Sequence, residues 1–270
     1  MSDKRGAFIW YELTTTNPDG AKSFYDSVIG WDIEPCSSAI EGGLDYRMIR
    51  RSDGGFAGGM LALSAEMVDC GAKPGWFGYI HTPDVDATAA ALVASGGKIC
   101  DSARTVEGVG RFAMVADPWG ATFYLMDPAP PADDPDAESD AFSVDLPQHV
   151  RWNELQSDDS VSAATLYGDL FGWVQEGEME MGPLGTYRFI ANDGIGIGAI
   201  CNTMPGDTGG PRWTHYIGVD DIDRAVAAVV AGGGEVIDRP QELPGGEFSV
   251  DIRDPQGGTV GLVGPRKIAE

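Results

Sequence analysis

Two glutamates and one histidine are the side chains whose types and spacing could do chemistry. Glu12 and Glu154 each follow a tryptophan by two positions, in Trp10-Tyr11-Glu12 and Trp152-Asn153-Glu154. Residues two apart on a strand share a face, so each carboxylate is expected beside an indole. A partly buried carboxyl can hold its proton at higher pH and serve as a general base. The alternative is that each Glu bonds neighbouring backbone in the turn before the next helix while each Trp fills the core. The residues alone leave both readings open. His215, in Trp213-Thr214-His215-Tyr216, is the third candidate, as an acid–base partner for Glu154 or as an ordinary strand residue. His81 and His149 do not match it in position.

Other chemistries find little support. The glycine-rich stretches (Gly54-Gly55, Gly58-Gly59, Gly232-Gly233-Gly234, Gly245-Gly246) lack a phosphate-loop context and read as turns, caps and bulges. No Ser-His-Asp set can be argued from spacing. Cys36, Cys70, Cys100 and Cys201 are far apart, with no CxxC, and read as reduced, buried or semi-buried thiols. A formal net charge of -24 repels nucleic acid and anionic membrane. No apolar run approaches the roughly 20 residues of a membrane helix. The N-terminus shows no apolar signal core, so a cytoplasmic protein is expected.

The elements that must position these residues come twice. Trp10-Tyr11-Glu12-Leu13, Tyr25 and Gly30-Trp31 return 142 residues later as Trp152-Asn153-Glu154-Leu155, Tyr167 and Gly172-Trp173. A second set, Asp84-Val85-Asp86, Gly96-Gly97 and Asp117-Pro118-Trp119-Gly120, returns 137 residues later as Asp221-Ile222-Asp223, Gly233-Gly234 and Asp254-Pro255-Gln256-Gly257. Repeats of this period fix the architecture. Within each copy the pattern is a strand, a helix and three strands, twice over. Asn17-Pro18 starts the first helix and Gly30 stops it. Tyr46-Arg47-Met48-Ile49 is echoed by Tyr187-Arg188-Phe189-Ile190. The chain therefore divides into domain 1 (1–127), a Pro- and Asp-rich linker (128–148) read as semi-extended, and domain 2 (149–270).

Four β-α-β-β-β units carrying Phe-Tyr before Gly-Trp, Asp-x-Asp before Gly-Gly, and Asp-Pro-x-Gly before the last strand resemble the vicinal oxygen chelate superfamily. That superfamily includes glyoxalase I, extradiol dioxygenases and bleomycin-resistance proteins. The nearest likeness is the two-domain glyoxalase-like group that includes the mycobacterial 27-kilodalton antigen. The resemblance implies an α+β fold, a tandem repeat of two glyoxalase-like domains, each made of two βαβββ units forming a half-open barrel. It also implies a small-molecule partner. The chain is then either a monomer whose halves mimic the dimer of single-domain members, or a homodimer.

In metal-using members of the family, His, Gln or Glu from the first and last strands of each unit hold a divalent ion. Aligned on the shared landmarks, those positions fall here at Trp10, Phe77 or Gly78, and Tyr124 in one half. In the other they fall at Trp152, Thr214 or His215, and Gly261. No ligand set survives, so the usual metal site is expected to be absent, with a divalent metal as the alternative. The same positions offer rings. The resemblance thus implies a concave pocket lined by Trp10, Tyr79, Tyr124, Trp152 and Tyr216, with Glu12 or Glu154 as polar anchor, for a small apolar or aromatic molecule. The competing expectation is an enzyme: a glyoxalase-type lyase, metal-dependent or acid–base, or a dioxygenase or hydroxylase.

Overall fold

The computed structural model describes residues 5–35, 43–130, 134, 137–182 and 185–267. Cys36 and part of the linker (131–133 and 135–136) lie outside them. The first quarter is β1 (Phe8–Thr15), α1 (Pro18–Ile29), β2 (Asp32–Ile33), β3 (Tyr46–Arg50) and β4 (Phe56–Ala62), followed by a short α2 (Ala65–Asp69). The second is β5 (Gly75–His81), α3 (Val85–Ala94), β6 (Lys98–Val106), β7 (Gly110–Ala116) and β8 (Thr122–Pro128). The third is β9 (Val150–Ser157), α4 (Ser160–Phe171), β10 (Val174–Glu180), β11 (Thr186–Asn192) and β12 (Ile195–Asn202). The fourth is β13 (Arg212–Gly218), α5 (Ile222–Ala231), β14 (Glu235–Val236), β15 (Gln241–Glu242), β16 (Glu247–Arg253) and β17 (Thr259–Pro265).

The fold is α+β, with two mixed sheets of eight and nine strands, one per repeat. Strand order follows one rule in every quarter. It is β2-β3-β4-β1, β5-β8-β7-β6, β10-β11-β12-β9 and β13-β17-β16-β14, with β15 added to β16. Each quarter's first and last strands lie side by side and parallel, as the intervening helix requires. The short α2 was not legible in the sequence.

The landmarks of the repeat are structural devices. Asn17 caps α1 by accepting from Gly20 N (3.0 Å), and Gly30 closes it in the left-handed region at φ 86°. Asp159 and Gly172 do the same for α4. The helix tyrosines meet the Asp-Pro-x-Gly turns. Tyr25 Oη donates to Asp254 Oδ2 (2.9 Å) and accepts from Trp76 Nε1 (2.9 Å). Tyr167 Oη donates to Asp117 Oδ2 (3.2 Å) and accepts from Trp213 Nε1 (3.3 Å). Burial, and then the charge of the facing aspartate, raises both phenol pKa values well above the usual range.

Compact packing cuts across the repeat. One unit takes residues 1–9, 77–139 and 152–214; the other takes 10–76, 140–151 and 215–270. Each unit holds one Tyr–Asp–Trp cluster. In the first, Trp173 stacks on Tyr167 (5.3 Å, 7°) and Phe8 on Trp173 (5.7 Å). In the second, Trp31 and Trp76 flank Tyr25 at 6.1 and 5.4 Å.

Two expectations need correction. Cys70 and Cys100 are exposed; only Cys201 is buried, and all three are free. The end of the linker is not a semi-extended spacer. Asp140 pairs with buried Arg51, and Ala141 is buried. Gln148 accepts from Ser52 N (2.7 Å) and donates to Gly30 O (2.6 Å), while Trp31 Nε1 donates to Gln148 O (2.9 Å). These bonds offset the ordering cost that the Pro/Asp composition suggested would win. Among the described residues no helix is long and apolar enough to cross a membrane.

Candidate functional site

Alternation along β9 puts Trp152, Glu154 and Gln156 on one face. The parallel register sets Glu154 opposite Ala199 and Gln156 opposite Cys201 on β12. On β11, Phe189 stands opposite Ala199, so Glu154, Ala199 and Phe189 form one row across three strands. A hydrogen-bond chain crosses this face. Trp152 Nε1 donates to Tyr187 Oη (2.9 Å), and Tyr187 Oη donates to Glu154 Oε2 (2.8 Å). Gln156 Nε2 donates to Glu154 Oε1 (3.2 Å). Phe189 packs edge-on to Trp152 (6.1 Å) and Tyr187 (5.6 Å).

The electrostatics fix the proton positions. Burial, then the charge of Glu154, raises the Tyr187 pKa well above the usual phenol value, so Tyr187 stays a donor. Burial, then Glu154, pushes the Cys201 thiol up to about 12, which leaves it neutral and a poor nucleophile or metal ligand. Glu154 is half-buried and accepts from two donors, Gln156 Nε2 and Tyr187 Oη.

The first repeat carries part of the same arrangement. Trp10 Nε1 donates to Tyr46 Oη (2.9 Å), and Glu12 is buried. The Tyr46 ring lies over Gly59, where a Cβ would overlap it. The remaining polar positions differ. Thr14 stands where β9 has Gln156, faces Leu61, and donates its hydroxyl to Lys73 O (3.0 Å).

Tyr79 and Tyr124 are brought together. They are register partners on β5 and β8, stacked at 4.2 Å and 8°. Tyr216 is the register partner of Gly261, and its ring occupies the space a Cβ there would need. Of the strand positions that the resemblance aligns with an ion site, Trp10, Phe77, Tyr124 and Trp152 carry rings, Gly261 lies under the Tyr216 ring, and Thr214 and His215 are buried, His215 being the one strong ligand type among them. That donor chemistry does not fit a divalent ion.

His215 is fully buried, 5.0 Å from the Tyr11 ring centroid and edge-on to it. Burial depresses its pKa from 6.5 to about 3. A depressed His contributes stability that is fully present above its unfolded pKa of 6.5 and is lost as pH falls toward 3. Between pH 7.5 and 5.5 the wild type will lose about 1.4 kcal/mol more than His215→Gln, as read by urea unfolding. Equal losses would contradict a neutral, buried His215.

Among the described residues one His/carboxylate group is close enough to hold a cation: Asp53, Asp140 and His149, with ligand atoms within 4.8 Å of one another. Both carboxylates are already met by Arg51, whose side chain is 1% exposed. A bound ion would have to displace a buried guanidinium.

Sequence reasoning missed Tyr187, Gln156 and Cys201. The signal for the first was present, since Tyr46 and Tyr187 open the echoed strand segments. Gln156 continues the Trp-x-Glu-x-Gln alternation.

Residues 147–262 match the family described as the Glyoxalase/Bleomycin resistance protein/Dioxygenase superfamily. Over 264 residues, 97% of this chain and 96% of the relative, the chain is 31% identical to a Mycobacterium tuberculosis protein named "Putative glyoxylase CFP32". Over 277 residues, 96% of this chain and 93% of the relative, it is 27% identical to "Anthracycline biosynthesis protein DauV" of a Streptomyces species. Its fold is similar to that of the Mn(II)-bound glyoxalase from Novosphingobium aromaticivorans (TM-score 0.62, 14% identity, 97% of this chain and 83% of that chain). It is also similar to an extradiol ring-cleaving dioxygenase from B. fuscum (TM-score 0.63, 15% identity, 99% of this chain and 74% of that chain).

Proposed function

Because the chain belongs to the Glyoxalase/Bleomycin resistance protein/Dioxygenase superfamily, we propose that it binds a small, largely apolar or aromatic molecule on the face shared by Trp152, Glu154 and Tyr187, without the divalent ion of metal-using members. The observation that carries this reading is the Trp152–Tyr187–Glu154 chain, which joins apolar ring surface to one fixed carboxylate. Such a combination, an apolar lining with few convergent polar groups, suits a small-molecule site. The name of the Streptomyces relative, which places it in anthracycline biosynthesis, supports an aromatic ligand.

Equilibrium dialysis of the full chain against 2-naphthol tests this. One saturable site is expected, weakened about tenfold or more by Trp152→Ala. Elemental analysis of the same protein is expected to find no stoichiometric Mn, Fe, Ni or Zn. Absence of saturable binding, or a stoichiometric ion lost in Glu154→Gln, overturns the reading.

A second reading is favoured by the half-buried carboxylate of Glu154 and by the name of the mycobacterial relative. In it the chain is an acid–base lyase acting on a thiol–aldehyde hemithioacetal. Turnover of the methylglyoxal–glutathione adduct, abolished by Glu154→Gln, would replace the binding reading.

A further inference from the structure

We propose that Oε1 of Gln156 reads a hydrogen-bond donor on the bound molecule, so that the ligand is a phenol or a ring N–H compound and not its O- or N-alkylated counterpart. This rests on the binding reading above and names the class of molecule that the site selects.

The direction of the Gln156 amide is forced. The residue is 5% exposed, and its Nε2 donates to Glu154 Oε1 at 3.2 Å. Turning the amide over would set an oxygen against a carboxylate oxygen, which has nothing to donate. Oε1 is therefore a fixed acceptor on the face that carries Trp152 and Glu154. Among the described residues it has no hydrogen-bond partner. Buried acceptors are nearly always met, so a donor from outside the chain completes this one.

The surroundings narrow that donor. Both oxygens of Glu154 are engaged as acceptors, from Gln156 Nε2 and Tyr187 Oη. Tyr187 already gives its proton to Glu154. Arg212, whose charge acts on Cys201, gives its Nη1 to Gly210 O (3.0 Å) and pairs with Asp207 (2.7 Å). Cys201, in register with Gln156, is a neutral thiol and forms no hydrogen bond to it. A ligand ether or carbonyl at this spot would set acceptor against acceptor, and a ligand carboxylate would meet the charge of Glu154 as well. A phenol O–H or pyrrole-type N–H satisfies the amide while its ring lies on Trp152 and Phe189.

The repeat provides an internal contrast. At the equivalent position of the first repeat, the Thr14 hydroxyl is committed to Lys73 O, and its register partner is Leu61. The first repeat has no amide acceptor at this position.

The test is equilibrium dialysis of the full chain with 2-naphthol and with 2-methoxynaphthalene, for the wild type and for Gln156→Met. The wild type is expected to favour the naphthol by about tenfold or more. Gln156→Met is expected to bring the two within about twofold, mainly by weakening the naphthol. Equal binding of both compounds by the wild type would mean that water meets Oε1, and would overturn the inference without requiring any variant to fold. A preference that persists in folded Gln156→Met overturns it too, because another group then reads the hydroxyl; in both cases the binding reading stands. Failure of both compounds to bind the wild type removes the binding reading itself.

Discussion

Gly198→Ala will destabilise the protein by about 3–5 kcal/mol, although it adds a single methyl group. Gly198 is the register partner of Asn153 across the parallel β9–β12 pair. A Cβ there would overlap the Asn153 carbonyl oxygen and crowd its backbone carbon and nitrogen. Backbone cannot step aside as a side-chain tip can, so β9 must move or the ladder must open. Asn153 is doubly tied, since its Nδ2 also donates to Ile197 O (3.0 Å). The neighbouring Glu154 would move with the strand, so the variant should also lose 2-naphthol binding. Gly58 stands in the same relation to the Tyr11 carbonyl in the first repeat, and Gly58→Ala should cost a similar amount. Gly196 is the control: a Cβ there meets nothing within 4 Å, so Gly196→Ala should change stability by less than about 1 kcal/mol. Urea unfolding of the three variants checks the series. A Gly198→Ala protein within 1 kcal/mol of wild type would contradict the close approach of these strands.

Asp117→Ala will cost about 3–5 kcal/mol, and far more than removing its side-chain partner. Asp117 Oδ1 accepts from the backbone N–H groups of Trp119 (3.0 Å), Gly120 (2.8 Å) and Ala121 (2.9 Å), while Oδ2 takes the Tyr167 hydroxyl. Burial is the largest influence on its carboxyl and raises its pKa, against the pull of these four donors. Alanine would leave the buried Ala121 N–H and the buried Tyr167 hydroxyl with no acceptor, and would loosen the half-buried Trp119 N–H, while Gly120 N keeps its bond to Asp117 O (3.1 Å). Tyr167→Phe deletes one bond and keeps the ring stack with Trp173, so about 1–1.5 kcal/mol is expected. Denaturant melts of both variants give the ordering. Equal costs would mean that the turn is held by Tyr167 and not by its own aspartate.

These two sites show what was legible in the chain and what was not. The repeat, the strand–helix–strand pattern and the caps at Asn17 and Gly30 could be read, because each depends on local spacing or on a φ that glycine adopts freely. The alignment of Tyr25 with Tyr167, and of Asp117 with Asp254, was also plain. Their partners were not: Tyr25 bonds Asp254 and Tyr167 bonds Asp117, each drawn from the opposite repeat. Self-similarity reveals which positions are equivalent but not which ones touch. The site follows the same division. Trp152 beside Glu154 follows from alternation along one strand. Tyr187 over Glu154 depends on the register of β9, β11 and β12, including the irregularity between Ile190 and Ala191. Cys70 and Cys100 are exposed because tertiary context overrides the usual preference of the residue.

The crossed pairing of tyrosine and aspartate bears on how such a gene could be divided. Each compact unit draws one quarter from either copy, so a fragment ending at the connector would carry two half-cores and no complete one. Its phenol and its turn carboxylate would both be looking for mates on the missing piece. Fission of this chain would therefore yield obligate partners, and an ancestral single copy would have met the same demand by associating with itself.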